Sequence, residues 1–410
     1  MAAEEECAEE ADEVDEVAQR AAPICGVDWQ DTYAAFHADV VAGPSSSARL
    51  LVFDASGNGG LADRLTGLMT ALLLAILSDR AIALDWSGRE VALRMPRLSE
   101  SGNTRLLKAA RAAQSSDTRR VTWLNANRTA LQQEVIHGMG GVESSSGIDA
   151  LWPERVVYLR SNRGFTQQLL NAPGLASLVA ARRLTPASAQ FGCLFNFLLR
   201  PTDAALRPVR SLMSAMRDPV DASDGRYVTV GVHVRSGDST WSAEGADAAT
   251  DAEAMRTRGA SLYASHKFIY EYADRLSQAL ASNMSARIGS HVSARLLLLG
   301  DSSALRAHVA TLHSPEKLLV PTGALGHVAR QADALSNAVG EHWLYGHATA
   351  FVYSSHSGFP RTAAARAVRD DAIHTCYHYV GPTLNPQPTA RKCTGPYSIA
   401  QLGERHAAGL

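Results

Sequence analysis

The residues of this chain best suited to chemistry sit in three polar clusters, each following an apolar run. Tyr227-Val-Thr-Val-Gly-Val-His-Val-Arg-Ser-Gly-Asp238 places His233 and Arg235 two apart, with Asp238 in the turn that follows. Leu299-Gly-Asp301-Ser ends a second run, and Phe351-Val-Tyr-Ser-Ser-His-Ser-Gly-Phe359 ends a third. A guanidinium fixed at a strand end suits a pair of phosphate oxygens, and an imidazole beside it suits a base or a leaving group. Asp301 can accept from a ribose hydroxyl or a base N–H. The hydroxyls of Ser354, Ser355 and Ser357, with the free amides of a helix starting near Gly358 and Phe359, can hold phosphate oxygens. Each cluster also has a plainer reading: Arg235 and His233 meet a carboxylate and solvent, Asp301 caps a helix, and Ser354–Gly358 is a turn.

The elements that would position these groups alternate regularly. In Tyr227–Asp238, Val228, Val230, Val232 and Val234 share one strand face, with His233 and Arg235 on the other. A helix is expected from Gly259 to Ser282, with a loop before it from Trp241. Strand Ala294–Gly300, helix Ala304–Leu312, strand Lys317–Val320, helix Ala334–His347, strand Ala350–Tyr353 and helix Arg361–Val368 follow. That order predicts a doubly wound parallel sheet, whose ligands lie beyond the C-terminal strand ends. The earlier chain repeats the theme once: strand Ala48–Asp54, the glycine turn Gly57, Asn58, Gly59, Gly60, helix Leu61–Ser78 and strand Ala81–Trp86, a βαβ unit. Another strand is expected at Arg155–Arg160 and a helix at Phe191–Arg200, whereas residues 87–147 read as surface helices and loops without further organisation.

At 410 residues the chain is long enough for two domains. We expect an acidic, disordered or peripheral segment over 1–45, a first Rossmann-like domain over 46–215 and a second over 216–410, the junction falling between Pro201 and Arg226. A net charge of −2 gives no basic field for nucleic acid or an anionic membrane, so an anionic ligand must be gripped locally. Of the five cysteines, none forms a Cys-x-x-Cys pair. A disulfide between Cys376 and Cys393 is plausible, Cys25 with Cys193 is a weaker second pair, and free thiols in a reducing compartment are the alternative. No secretory signal is legible in the acidic first twenty residues, and the longest apolar stretch, Leu65–Leu77, is shorter than the ~20 residues that span a bilayer. The sequons at Asn127 and Asn283 matter only in a lumenal protein. P-loop, dinucleotide, zinc and nucleophile-elbow signatures are missing, and so is an Asp-x-Asp pair for a divalent ion; Asp251-Ala-Glu253 is the nearest. We therefore expect neither metal nor cofactor, with Arg235 stabilising a leaving diphosphate.

Four motifs in order then bring a family into view. Gly59-Gly-Leu-Ala-Asp-Arg-Leu65 with its apolar helix, Val230–Asp238, Leu299–Ser302 and Phe351–Phe359 resemble the motifs of the fucosyltransferase superfamily, which includes the plant xyloglucan, α1,6-core and protein O-fucosyltransferases. The resemblance implies a GT-B fold of two Rossmann-like domains facing a cleft, a GDP-fucose donor, a glycan or glycoprotein acceptor and inverting, metal-independent transfer. It implies that Arg235 contacts the diphosphate, His233 the nucleoside, Asp301 the ribose or guanine, and Ser354–Phe359 the phosphates. The Gly57–Gly60 turn, Asp63 and Arg64 would face the donor from the first domain. Many members carry Gly-Asn-Arg where this chain has Ala62-Asp63-Arg64, and the second motif ends Ser-Gly-Asp. Asp63 and Asp238 are the candidates for the catalytic base. Another sugar nucleotide, or a homologue that binds without turnover, is the alternative. The resemblance implies a Golgi or ER lumen; without it, a soluble cytoplasmic protein is expected.

Overall fold

The computed structural model describes residues 21, 23–43, 48–56, 59–113, 117–123, 152–184, 190–216, 226–237, 252–323, 325, 332–354, 357–369, 372–377 and 392–397. Among these, the chain divides into two compact units. The first runs to Thr202 and takes in Ala365–Val368, and the second holds Asp203–Ala364 and the chain from Arg369.

The first unit is built on a four-stranded sheet in the order β2-β1-β5-β4, all parallel. Its strands are β1 (Leu50–Asp54), β2 (Ala81–Asp85), β4 (Thr118–Trp123) and β5 (Val156–Ser161). A separate antiparallel pair joins β3 (Leu93–Arg94) to β6 (Arg200–Pro201). Its longer helices are α1 (Asp28–Ala42), α2 (Leu61–Leu77), α3 (Glu100–Ala112) and α4 (Gln190–Leu198), with shorter helical segments between them. Helix α2 is apolar on all sides because it is a core element: every residue from Leu65 to Leu77 is buried. It lies so close to β5 that a Cβ on Gly67 would stand 2.0 Å from the Ser161 carbonyl oxygen. The buried guanidinium of Arg80 donates from its two Nη atoms to the backbone carbonyls of Leu50, Arg155 and Trp152 around the start of the sheet.

The second unit carries a six-stranded sheet in the order β12-β11-β10-β7-β8-β9. The strands are β7 (Arg226–Val234), β8 (Val292–Gly300), β9 (Leu318–Leu319), β10 (Ala350–Ser354), β11 (Ile373–Tyr377) and β12 (Lys392–Tyr397), with only β12 antiparallel to its neighbour. Helices α5 (Ala252–Ile288), α6 (Ser303–Ala310), α7 (Ala332–Tyr345) and α8 (Gly358–Arg366) make the crossovers. The valines of β7 pack with Ile269, Tyr270 and Ala273 of α5 and with Leu296 and Leu298 of β8. The other face of β7 meets α7, where Gly231 leaves room for the Tyr345 ring; a Cβ there would stand 2.7 Å from it. From β7 the chain builds outward through β8 and β9, then returns to β10 on the opposite side. The order reverses between β7 and β10, which makes that gap the switch point of the sheet.

The parallel sheets flanked by helices are as the sequence predicts. Three local readings differ. Within the segment expected to be disordered or peripheral, Asp28–Ala42 is helix α1, with Trp29, Tyr33, His37 and Val41 buried. Residues 87–147 hold the helix α3, in keeping with the surface helices expected there, but also strand β4, which the sequence hid because Thr-Arg-Arg-Val-Thr-Trp is a polar edge strand without an apolar run. Helix α5 begins at Ala252, not Gly259, since Ala252–Arg258 is rich in strong helix formers; the expected loop is helix from that point. Both cysteine pairs are disulfides, Cys25–Cys193 and Cys376–Cys393. Asn283 is exposed near the end of α5, whereas the Asn127 sequon lies outside the described residues.

Substitution of Gly67 by Ala is expected to destabilise the protein by about 1–3 kcal/mol, because overpacking against the Ser161 carbonyl outweighs a helix-propensity gain of ~1 kcal/mol. Denaturant unfolding checks this, and an unchanged or higher midpoint contradicts it.

Candidate functional site

The second unit gathers three strand ends at its switch point. The Arg235 backbone N–H donates to Ser354 Oγ at 3.0 Å, joining the end of β7 to the end of β10. On the other side of β7, Asp301 follows β8 directly. Its carboxylate accepts from the Ser236 N–H at 2.6 Å and the Gly237 N–H at 3.1 Å. Arg235 Nη1 lies 3.2 Å from the same carboxylate, the guanidinium 44% exposed and the Asp301 side chain 13% exposed. Gly237 has φ +103°, a conformation strained for other residues, which lets the two consecutive amides turn toward one carboxylate. Asp301 is therefore not the helix cap: Ser302 caps α6, accepting from the Leu305 N–H at 3.0 Å.

His233 occupies the α7 side of the sheet, stacked on Phe359 at a centroid distance of 5.5 Å and edge-on to Tyr345 at 6.5 Å. Burial, and then the positive charges of Arg235 and Arg306, push its pKa down to about 3, so the ring is neutral at physiological pH. Its Nδ1 is buried and has no hydrogen-bond partner among the described residues. Ser357 is buried just ahead of α8, its N–H donating to the Ser354 carbonyl at 3.2 Å. Gly358 and Phe359 open that helix, so their N–H groups have no intrahelical acceptor. Arg235, His233, Asp301, Ser354, Ser357, Gly358 and Phe359 thus come together on one edge. Ser355 and Asp238 lie outside the described residues. What this edge can do follows from its charges: a half-exposed guanidinium and a helix N-terminus together favour an anion.

The first unit has its own switch point, between β1 and β5. There Arg160 Nε donates to Asp54 Oδ2 at 2.9 Å, and Nη2 donates to Ser56 Oγ at 2.6 Å. Although burial opposes it, hydrogen bonds from Ser56 and the charge of Arg160 hold the Asp54 carboxyl below the usual range. Gly59 and Gly60 lead into α2. Asp63 accepts from the Gly60 N–H at 3.2 Å, so it caps its own helix, and Arg64 Nε donates to the Gly59 carbonyl at 3.2 Å while standing over the Trp86 ring. Gly57 and Asn58 lie outside the described residues.

Sequence reasoning passed over Asp54 and Arg160 at the β1–β5 edge, and the buried Arg306–Glu341 pair that joins α6 to α7 behind the β7–β10 edge. The signal for the first two was present, since each closes an apolar strand just as Asp301 does. Glu341 sits in mid-helix and carried no such mark. Among the described residues no group of three or more His, Cys, Asp or Glu is placed to hold a metal ion, and no helix is long and apolar enough to cross a membrane.

Among solved structures, a point mutant of Arabidopsis thaliana FUT1 in complex with GDP aligns with 87% of this chain and 80% of its own, at 11% identity and a TM-score of 0.53. This chain shares that fold. The GT-B architecture expected from the motifs is thereby borne out. The alpha-1,6-fucosyltransferase NodZ, soaked with GDP-fucose, covers 80% of this chain and 94% of its own at 13% identity, with a TM-score of 0.41. POFUT1 in complex with GDP-fucose covers 78% and 94% at 11% identity, with a TM-score of 0.37. No family profile matches the chain, and no curated protein matches it in sequence.

The buried histidine sets a pH dependence. Unfolded, His233 takes up a proton near pH 6.5; folded, it does so only near 3. Between those values the unfolded chain binds the extra proton, so stability is complete above about pH 6.5 and falls as the pH drops, by ~1.4 kcal/mol per pH unit for each such group. His374, pushed down to about 4 by burial, acts in the same direction. Replacing His233 by Gln is expected to flatten the stability profile between pH 6 and 4 by about one proton, measured by denaturant midpoints across that range. An unaltered slope contradicts a neutral, buried His233.

Proposed function

We propose that this protein is a glycosyltransferase that moves fucose from GDP-fucose to a hydroxyl of a glycan or glycoprotein, with inversion and without a metal. The observation that carries the reading is the Arg235–Asp301–Ser354 cluster at the switch point of a Rossmann-ordered sheet, in a chain that shares the fold of a GDP-bound plant FUT1. The second unit takes the nucleotide and the first takes the acceptor.

In this reading the diphosphate lies against Arg235, Ser354, Ser355, Ser357 and the Gly358 and Phe359 amides. The nucleoside reaches His233, and Asp301 accepts from ribose or guanine. As the acceptor oxygen attacks the anomeric carbon from the face opposite GDP, the C–O bond to the diphosphate breaks and negative charge grows on the leaving oxygens. A guanidinium and helix-terminal amides already oriented there stabilise that charge without reorganisation. The acceptor proton passes to a carboxylate, Asp238 or Asp63, or to water; Asp63 would first have to leave its capping bond. For Gly57, Asn58, Gly59, Gly60 and Arg64 a donor-binding role rests on the motif resemblance alone. The two disulfides support an oxidising compartment such as the Golgi or ER lumen.

The test is transfer of labelled fucose from GDP-fucose to a glycan array, with GDP- and UDP-linked sugars compared as donors. Substituting Arg235 by Ala is expected to lower turnover by ~30-fold or more, since removing one partner of a held charge pair costs about 2–5 kcal/mol. The melting temperature should hold, because the side chain is half-exposed. Near-normal transfer by that variant refutes the assignment of Arg235. Failure of the wild type to bind any GDP-sugar refutes the function.

A further inference from the structure

Behind the switch-point edge lies an ion pair that the proposed chemistry does not use. Arg306, in the first turns of α6, donates from Nη1 to Glu341 Oε1 at 2.6 Å and from Nη2 to Glu341 Oε2 at 2.7 Å, a two-pronged pairing with a carboxylate on α7. Nη2 also donates to the Gly300 carbonyl at 2.6 Å. The side chains are only 6% and 9% exposed.

Stability alone does not account for this pair. Burying two charges costs several kcal/mol, and a buried pair is often no more stabilising than well-packed apolar residues of the same volume. What it adds is direction. Three short charge-assisted bonds fix a planar fork in one orientation and tie it to a single backbone carbonyl. That carbonyl shares its peptide plane with the Asp301 N–H, so fixing the Gly300 oxygen sets the path of the chain into Asp301. Gly300 is also opposite Val234 in the ladder, and a Cβ on it would stand 2.8 Å from the Val234 carbonyl oxygen, so β7 and β8 are in close contact at this level.

We propose that Arg306 and Glu341 are positioning residues, which hold the Gly300–Asp301 peptide where the Asp301 carboxylate can gather the Ser236 and Gly237 amides and Arg235. The chain of contacts runs from Glu341 to Arg306, to the Gly300 carbonyl, to Asp301 and so to the turn that carries Arg235. The pair touches neither donor nor acceptor. It acts through Asp301, and its value for catalysis rests on the fucosyl-transfer reading above.

The test is the double variant Arg306→Met/Glu341→Leu, which swaps the pair for apolar side chains, with Arg306→Lys as a second variant that keeps the charge but loses the fork. Two readouts apply: hydrogen-exchange protection of the Ser236 and Gly237 amides, and GDP affinity by calorimetry. We expect folded variants with near-native melting temperatures, exchange at these two amides accelerated tenfold or more, and GDP affinity lowered at least tenfold. Native protection and native GDP affinity in a folded variant overturn the proposal, because a merely structural pair would leave both unmoved. If the double variant does not fold, Arg306→Lys decides by the same two outcomes. If the wild type itself binds no GDP, the functional reading falls, and the exchange rates still decide whether the pair positions the turn.

Discussion

One carboxylate organises the edge on which the functional reading rests. Asp301 accepts from two consecutive amides beyond β7 and pairs with the guanidinium between them and the strand. An acceptor-only group so placed converts three residues that would otherwise fan into solvent into a fixed turn. The positive φ of Gly237 allows that turn, and the Ser354 hydroxyl holds it from the β10 side. The Arg235 guanidinium is partly balanced by Asp301 and still half-exposed.

The fold supplies that arrangement almost mechanically. Parallel strands buried on both faces must end together, and the reversal of order between β7 and β10 parts the crossovers at one place. Polar side chains that follow apolar runs then collect there without needing to be adjacent in sequence. The first unit obeys the same rule: Asp54 and Arg160 meet where β1 and β5 adjoin.

Much of this was legible in the sequence because it depends on local pattern. The valine alternation of β7, the unbroken Leu296–Leu299 run of β8 and the largely apolar Leu65–Leu77 stretch of α2 announce their elements by hydrophobic pattern alone. Arg235, Asp301 and Ser354 could be placed on one edge because each follows such a run. Strand β4 was illegible for the opposite reason: it is a polar edge, and its pairing with β5 comes from the neighbour, not from its own composition. The role of Asp301 was ambiguous, since an Asp before Ser-Ser reads equally well as a helix cap; only the three-dimensional positions of the Ser236 and Gly237 amides decide it. The Arg306–Glu341 bond joins residues 35 apart on two helices, a distance across which periodicity says nothing.

The most direct measurement is a crystal structure of the protein with GDP. The diphosphate is expected at the β7–β10 switch point, within hydrogen-bond reach of the Arg235 guanidinium and the amides that open α8, with the base near His233 and Phe359. GDP bound elsewhere, with this edge holding only solvent, would contradict that placement.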